Sequence, residues 1–382
     1  MRLLFVADGR SPTARNWIQY WTEHGDEVHL ASTFPCDQIP GLAGLEIAPV
    51  AFSGRTVSSS SQTRDARLIS FRQAIRHWFG PLTLPRAGKN LNAIIERAGP
   101  DLVHALRIPY EGMLAANAGL RLPWIVSVWG NDFTLHAPST PLMRHYTQWT
   151  MLAVDALHAD CQRDIRLARE WGLDSSKPTL VSPGNGGIHA DIFFPPARPV
   201  EEPVIFNPRG FRAYVRNDTF FRAIPLVLKE IPGARFICAS MAEQAEALNW
   251  VKTLGIENHV ELLAPRPHVE MAEVYRRAQV IVSPSTHDGT PNTLLEGMAC
   301  GCFPIAGDLE SIREWITNDV NGLLIDPGDP FALAGAIVRA VKSKDLRTQA
   351  AGQNKAIIAD RAEVTRNMAR VEEFYRNVIS KK

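Results

Sequence analysis

The sequence predicts an α/β protein built from two units, each a parallel β-sheet covered by helices. Three observations predict it. Short apolar runs alternate with helical patterns from end to end. The pattern restarts after a break at residues 183–203 that holds four prolines besides Pro183 and three glycines at 184, 186 and 187. The chain has 382 residues, more than one hydrophobic core usually supports.

The elements follow in order. Leu3–Ala7 is an apolar run of strand length, followed by a helical pattern over Ala14–His24 and a second strand at Glu27–Ser32. Asp101–Leu106 and Trp124–Trp129 are further strands, with the apolar helix Glu111–Leu120 between them. Strand, helix, strand with a crossover of this length implies a parallel sheet. Residues 183–203 then form an interdomain linker. Beyond it Val204–Asn207, Arg235–Ala239, Val260–Leu263, Val280–Ser283 and Phe303–Ala306 are strands separated by helices. The expected domains are 1–190, 191–361 and a terminal helical segment, 362–382, that packs back on the first domain.

Composition narrows the class of function. Apolar residues are 45%, charged residues 21% and the net charge is +1, so the chain is an ordinary globular one with no general attraction to nucleic acid. Its five cysteines, Cys36, Cys161, Cys238, Cys300 and Cys302, are odd in number and form no CxxC pairs, which argues against zinc and against a disulfide framework. Leu3–Ala7 is too short for a signal-peptide core, and no run has the length of a spanning helix. The expected location is the cytoplasm. One stretch is biased: residues 51–90 carry seven Lys/Arg against Asp65 alone, with Leu68, Phe71, Ile75 and Trp78 at helical spacing. Residues 64–79 are therefore a candidate for peripheral contact with an anionic membrane face or acceptor, against the plainer alternative of a helix packing its apolar stripe on the sheet.

The chemistry concentrates after the Val280–Ser283 strand, in Ser283-Pro-Ser-Thr-His-Asp-Gly-Thr-Pro-Asn-Thr-Leu-Leu-Glu-Gly-Met-Ala-Cys-Gly301. Thr290 has the character of a helix N-cap and Pro291 of the first helical residue. The amides of Asn292 and Thr293 would then stand unpaired at a helix tip, which suits a diphosphate. Asp288 lies before that tip. Glu296 lies six residues after the expected cap, about 9 Å along the axis. Each carboxylate is expected to accept hydrogen bonds from sugar hydroxyls on either side of the diphosphate. This is the outline of a nucleotide sugar, with Glu296 at the ribose and Asp288 at the transferred sugar.

Asp288-Gly289-Thr290-Pro291 followed by Glu296-Gly297-Met298-Ala299-Cys300-Gly301 resembles the E-x7-E signature of family 4 glycosyltransferases. Ser283-Pro284-Ser285, Asp308 with Glu314, Asn321-Gly322-Leu323-Leu324, Asn185-Gly186-Gly187-Ile188 with Phe193, Pro100–His104 and Gly25–Val28 extend the resemblance over nearly the whole chain. It implies a GT-B fold: two Rossmann-like domains facing a central cleft, donor mainly on the second and acceptor mainly on the first. It implies transfer with retention of anomeric configuration and no essential metal or other cofactor. The lack of any Asp-x-Asp agrees with the last point. The acceptor is then a hydroxyl of a glycan, a glycolipid or a small molecule.

Without a metal, cationic side chains must meet the leaving-group charge. Arg209, just past Val204–Asn207, matches the family's arginine, and Arg212 or Arg216 takes the place of its lysine. The first signature acid is Asp288 rather than Glu. In the first domain Trp129-Gly130-Asn131-Asp132 stands where many members carry His-Gly-x-Asp, so Trp129, Asn131 and Asp132 are the expected acceptor-side residues. Gly9, after the first strand, is expected to let backbone approach the diphosphate. Two other functions fit less well. A sugar-nucleotide epimerase on this fold would need a histidine where Trp129 stands. A degenerate nucleotide-sugar-binding protein would account for Asp288 and the missing lysine.

Overall fold

The computed structural model describes residues 1–53, 75–212 and 214–381. The chain divides into two compact units, Met1–Gly186 with Met368–Lys382, and Gly187–Asn367.

Unit one holds seven strands: β1 Arg2–Ala7, β2 Glu27–Ser32, β3 Gly44–Ile47, β4 Leu102–Ala105, β5 Trp124–Val128, β6 Ala156–Ala159 and β7 Thr179–Val181. All pair in parallel, in the order β3-β2-β1-β4-β5-β6-β7. The central strands are buried on both faces, which is why they read as largely apolar runs, broken by His104 in β4 and Ser127 in β5. β3 was not apparent from the sequence: it is an edge strand of four residues, only partly buried. The first helix, Pro12–Glu23, starts two residues before the expected boundary because Ser11 caps it, accepting from the Ala14 amide, with Pro12 at its first turn.

The terminal helix, Val364–Ser380, carries residues of unit one from Met368 on. Its Tyr375 ring stacks on Trp21 at 4.6 Å, and its hydroxyl accepts from Trp17 Nε1 at 3.1 Å. A buried polar chain continues from there through His104, Ser127, His158 and Ser182 across three strands. Burial pushes His104 well below its ordinary value and His158 down to about 4, so both are neutral at pH 7.

Unit two holds β8 Val204–Asn207, β9 Arg235–Cys238, β10 Val260–Leu262, β11 Val280–Ser283, β12 Phe303–Gly307 and β13 Leu323–Ile325. They too are all parallel, in the order β10-β9-β8-β11-β12-β13. In both sheets the strand order reverses once, between β1 and β4 and between β8 and β11. At such a point adjacent crossovers leave in opposite directions and open a crevice at the carboxyl edge, the usual ligand position in open α/β sheets.

The signature helix of unit two packs closely on β11. A Cβ on Gly297 would lie 2.3 Å from Ile281 Cδ1, so a larger residue there would have to displace the Ile281 side chain. The helix ends at Ala299, and Gly301 turns the chain at φ +82° between buried Cys300 and Cys302. Among the described residues no helix is long and apolar enough to cross a membrane.

Candidate functional site

The reversal in unit two brings Arg209 and Asp288 together. Arg209 follows β8 in a loop held by two buried asparagines. Asn207 Oδ1 accepts from the Arg209 amide at 3.1 Å, Asn207 Nδ2 donates to Asn217 Oδ1 at 3.0 Å, and Asn217 Nδ2 donates to the Gly210 carbonyl at 2.9 Å. The return of that loop is pinned to the chain after β11: the Arg216 amide donates to Pro284 and the Thr286 amide to Tyr214. The outcome is an Arg209–Asp288 ion pair at 2.6 Å, with the guanidinium also donating to Thr293 Oγ1 at 3.2 Å. Both charged side chains are nearly buried.

The helix tip differs in detail from the expectation. The helix runs Asn292–Ala299 and Pro291, not Thr290, is its cap residue, with no side-chain cap bond. Thr290 Oγ1 instead accepts from the Trp315 indole at 2.9 Å, a contact 25 residues away that local capping rules do not foresee. Asn292 and Thr293 remain the first-turn residues, whose amides have no acceptor within the helix. Four buried side-chain polar atoms here lack a partner: Arg209 Nε, Ser283 Oγ, Ser285 Oγ and Asn292 Oδ1. Buried polar groups are nearly always satisfied, so a cluster of orphans at a sheet's reversal marks room for a polar ligand. Gly289 and Pro291 are buried beside them.

Glu296 is placed otherwise than as an open ribose acceptor. One of its carboxylate oxygens accepts from His268 Nε2 at 2.7 Å and the other from the Tyr275 hydroxyl at 2.9 Å. Of the two cations held open for the family's lysine, Arg216 is engaged bidentately by Asp218 at 2.8 and 2.7 Å. Arg212 is exposed and donates to its neighbour's carbonyl.

The reversal in unit one has a different chemistry. Gly9 does not present a backbone amide: that amide donates to Ser32 Oγ at 3.1 Å, and a Cβ there would lie 2.4 Å from Cys36 Sγ. Its glycine serves internal packing. Asp132 is likewise internal. Its carboxylate takes Arg107 at 3.0 and 2.9 Å and the amides of Ile108 and Trp129 at 3.2 and 3.3 Å, and its side chain is fully buried. Asn131 Oδ1 accepts from the same guanidinium at 3.0 Å. The Trp129 indole nitrogen is buried without a partner, as are Thr134 Oγ1 and His136 Nδ1.

Around these lies a cationic and aromatic stack that the motifs did not single out. Arg10 lies 3.6 Å from the Phe34 ring centroid, and Arg76 lies 4.6 Å from Phe34 and 4.4 Å from Tyr110. Tyr110 holds φ +73° and ψ −51°, a strained backbone for a side-chain-bearing residue. Next to it burial raises the Glu111 carboxyl to about 7, against the pull of its Thr33 bond and the nearby arginines. Burial and the arginines push His136 down to about 3. Of the basic stretch, Arg55, Arg64, Arg67, Arg72, Leu68 and Phe71 lie outside the described residues. Ile75, Trp78 and Phe79 are exposed, at 37%, 54% and 55%.

One further cluster has ligand-like spacing, Asp160, Cys161 and Asp164, but the Arg163 guanidinium bonds Asp164 at 2.9 and 2.7 Å and already supplies a cation there.

Two parallel sheets, with a charged, partly orphaned polar cluster at the second reversal, define an open α/β protein of two similar units. Comparison with known proteins gives the family. Residues 8–184 match the glycosyl transferase 4-like domain, and residues 204–343 match glycosyl transferases group 1. Among curated proteins, the D-inositol 3-phosphate glycosyltransferase of Thermobispora bispora is 26% identical over 192 residues, 45% of each chain. That of Corynebacterium jeikeium is 36% identical over 94 residues, 25% of this chain and 22% of the relative. The chain thus spans about half the length, or less, of the curated relatives it matches. Among solved structures, sucrose-phosphate synthase from Thermosynechococcus elongatus superposes with a TM-score of 0.76 at 15% identity over 100% of both chains. HepE of Anabaena in complex with UDP-glucose gives 0.75 at 15% identity, covering 99% of this chain and 100% of that one. The chain belongs to the GT4-type glycosyltransferases, and its two Rossmann-like sheets are those of the GT-B class.

Proposed function

We propose that this protein moves a sugar from a nucleoside-diphosphate donor to an acceptor hydroxyl, with retention of configuration and without an essential metal. The observation that carries the reading is the Arg209–Asp288–Thr293 constellation at the tip of the signature helix, ringed by orphaned polar atoms. The donor diphosphate lies on the amides of Asn292 and Thr293, with Arg209 taking the charge that develops on the leaving group. Asp288 orients that guanidinium and stands beside the hydroxyls of the transferred sugar. The bond from the anomeric carbon to phosphate breaks as the bond to the acceptor oxygen forms on the same face, and the acceptor's proton passes to the departing phosphate oxygen. Two facts support this step over an enzymic nucleophile: Asp288 is held by Arg209, and Glu296 is buried between two donors.

The acceptor half of the reading rests on unit one. Among the described residues Arg76 makes no ion pair and lies against two aromatic rings. Such a guanidinium is pre-organised for a phosphate or carboxylate, so the acceptor is a hydroxyl compound carrying an anionic group. The relatives named for inositol 3-phosphate favour the same class. Exposed Trp78, Phe79 and Leu82 support a peripheral contact of residues 64–79 with an anionic membrane.

The test is a thermal-shift screen with UDP-, GDP-, ADP-, CDP- and dTDP-sugars in excess EDTA, followed by product analysis. A donor at 100 times its dissociation constant adds about 2.7 kcal/mol of stability. The expected result is one stabilising donor class and a product with the donor's anomeric configuration. No shift with any donor, an inverted product, or activity restored only by Mg²⁺ or Mn²⁺ contradicts the reading. Equilibration of the donor to an epimer would favour the epimerase alternative.

A further inference from the structure

A cavity of about 370 Å³ lies in unit two at the amino edge of the sheet, the edge opposite Arg209 and Asp288. That volume is in the range of small-ligand pockets. One wall is the stretch before β8, with Pro195, Pro196 and Pro199. Gln279, just before β11, fixes that stretch: its Nε2 donates to the carbonyls of Val200 and Glu201 at 2.8 and 3.0 Å. Its Oε1 is buried without a partner, although buried acceptors are nearly always satisfied. The floor is Met298, near the end of the signature helix, and the turn at Cys300 and Gly301. Burial raises the Cys300 thiol to about 12, so this floor carries no charge at pH 7.

The facing wall is the helix Lys344–Arg361. Lys344, Thr348, Ala351, Gly352 and Lys355 line the cavity from one face of that helix, at the spacing of successive turns. The two lysines are exposed and bracket the face, about 16 Å apart along the axis. Among the described residues neither makes an ion pair. Arg347 also borders the cavity and donates to the carbonyls of Ala340 and Val341, and Glu201 is the acid of the wall. Between the lysines, a Cβ on Gly352 would meet no atom within 4 Å. Glycine is a poor residue for a helix interior, and no neighbour requires it here. Its effect is to leave the wall open.

We propose that this cavity binds a small amphipathic anion, its apolar body between the prolines and Met298 and its acidic group at the lysines of the facing helix. Lys344, Arg347 and Lys355 stand against Glu201 alone, so the charged part of the ligand is an anion. Inorganic phosphate can use only the lysines, and a neutral hydrocarbon only the apolar walls. A molecule with both parts uses both, and a hydroxyl on it can satisfy the Gln279 oxygen. The site lies beyond the donor reading and does not depend on it.

The experiment is calorimetry on the full chain with octanoate and 4-hydroxyphenylacetate, two acids that differ in their apolar body. 1-Octanol and inorganic phosphate each supply one half of the chemistry. Wild type, Gly352→Leu and the double change Lys344→Gln with Lys355→Gln are compared, with melting temperature measured for each. The expected result is one-to-one binding of at least one acid by wild type, with 1-octanol and phosphate at least about 10-fold weaker. Octanoate alone would assign an acyl body, 4-hydroxyphenylacetate alone an aromatic one. Gly352→Leu fills open space, so it should melt no lower than wild type and lose the acid. The double lysine change should weaken the acid roughly 10-fold, the loss of one charge-assisted hydrogen bond. No binding of either acid to wild type overturns the proposal, as does 1-octanol or phosphate binding as tightly as the acid. Acid binding unchanged in either variant that melts normally overturns it too.

Discussion

The two sheets reverse strand order at the same place in their topology, and the two reversals carry opposite equipment. Past β8 and β11 a guanidinium is paired with a carboxylate at a helix tip, 2.6 Å apart, with four orphaned polar atoms around it. Past β1 and β4 the arginines lie on aromatic rings and the backbone is strained at Tyr110. The first arrangement suits a ligand that brings a diphosphate and a sugar together, because the tip and Arg209 take the charge while Asp288 takes hydroxyls. The second presents arginines laid on aromatic rings beside a Ser11-capped helix start. On the proposed reading the same fold offers two sites, and the loop chemistry after the strands separates them.

The largest effect is expected at Asp288. Asp288→Asn should lower turnover by roughly 100- to 1,000-fold, since it loosens the transferred sugar at the reacting centre while Thr293 still holds the Arg209 guanidinium. Affinity for the free nucleoside diphosphate should change little, because that ligand has no sugar. Kinetics beside calorimetry check it, and equal losses in both would merge the two roles assigned here. Arg76→Gln is the counterpart in unit one. It should raise KM for an anionic acceptor about 10-fold, the worth of one charge-assisted bond, with donor KM unchanged. An uncharged acceptor should be indifferent to it.

Acid should also separate the units. His104, His136 and His158 have folded values below the ordinary 6.5, so the stability they confer is present above about 6.5 and is lost as pH falls toward 4. Glu111, raised to about 7, acts in the other direction, its burial cost easing as it takes a proton. Burial lowers His77 as well and also raises the Asp132 and Asp164 carboxyls, so four histidines stand against three carboxyls. Scanning calorimetry from pH 7 to 5 should show a fall of roughly 5 °C in the transition of unit one. His158→Asn should flatten part of that fall. The smallest effect expected is at the exposed aromatics: Trp78→Ser with Phe79→Ser should reduce sedimentation with anionic vesicles and leave nucleotide affinity as it was.

Much of the fold was legible because parallel strands buried on both faces cannot avoid being apolar runs. Val204–Asn207 and Val280–Ser283 have the bounds their sequence suggests, while edge strands such as Gly44–Ile47 carry too little burial to mark themselves. In the site, Asp288, Thr293 and Arg209 could be nominated from motif and strand end, and the structure brings them together. Thr290 could not be read correctly, since its partner Trp315 is 25 residues distant. Gly9 and Asp132 look like ligand residues in one dimension, and only packing reveals that Cys36 and Arg107 occupy them. His268 left no signal either. It follows Pro267 on a plain helix start, and its hydrogen-bond partner is a carboxylate 28 residues away.

The central claim is that the diphosphate is held at the second reversal and not at the first. Calorimetry of the best-binding nucleoside diphosphate with Arg209→Gln and with Arg76→Gln tests it most directly. Binding should be at least 10-fold weaker for Arg209→Gln and within twofold of wild type for Arg76→Gln. Loss of binding in Arg76→Gln with Arg209→Gln unaffected would contradict it.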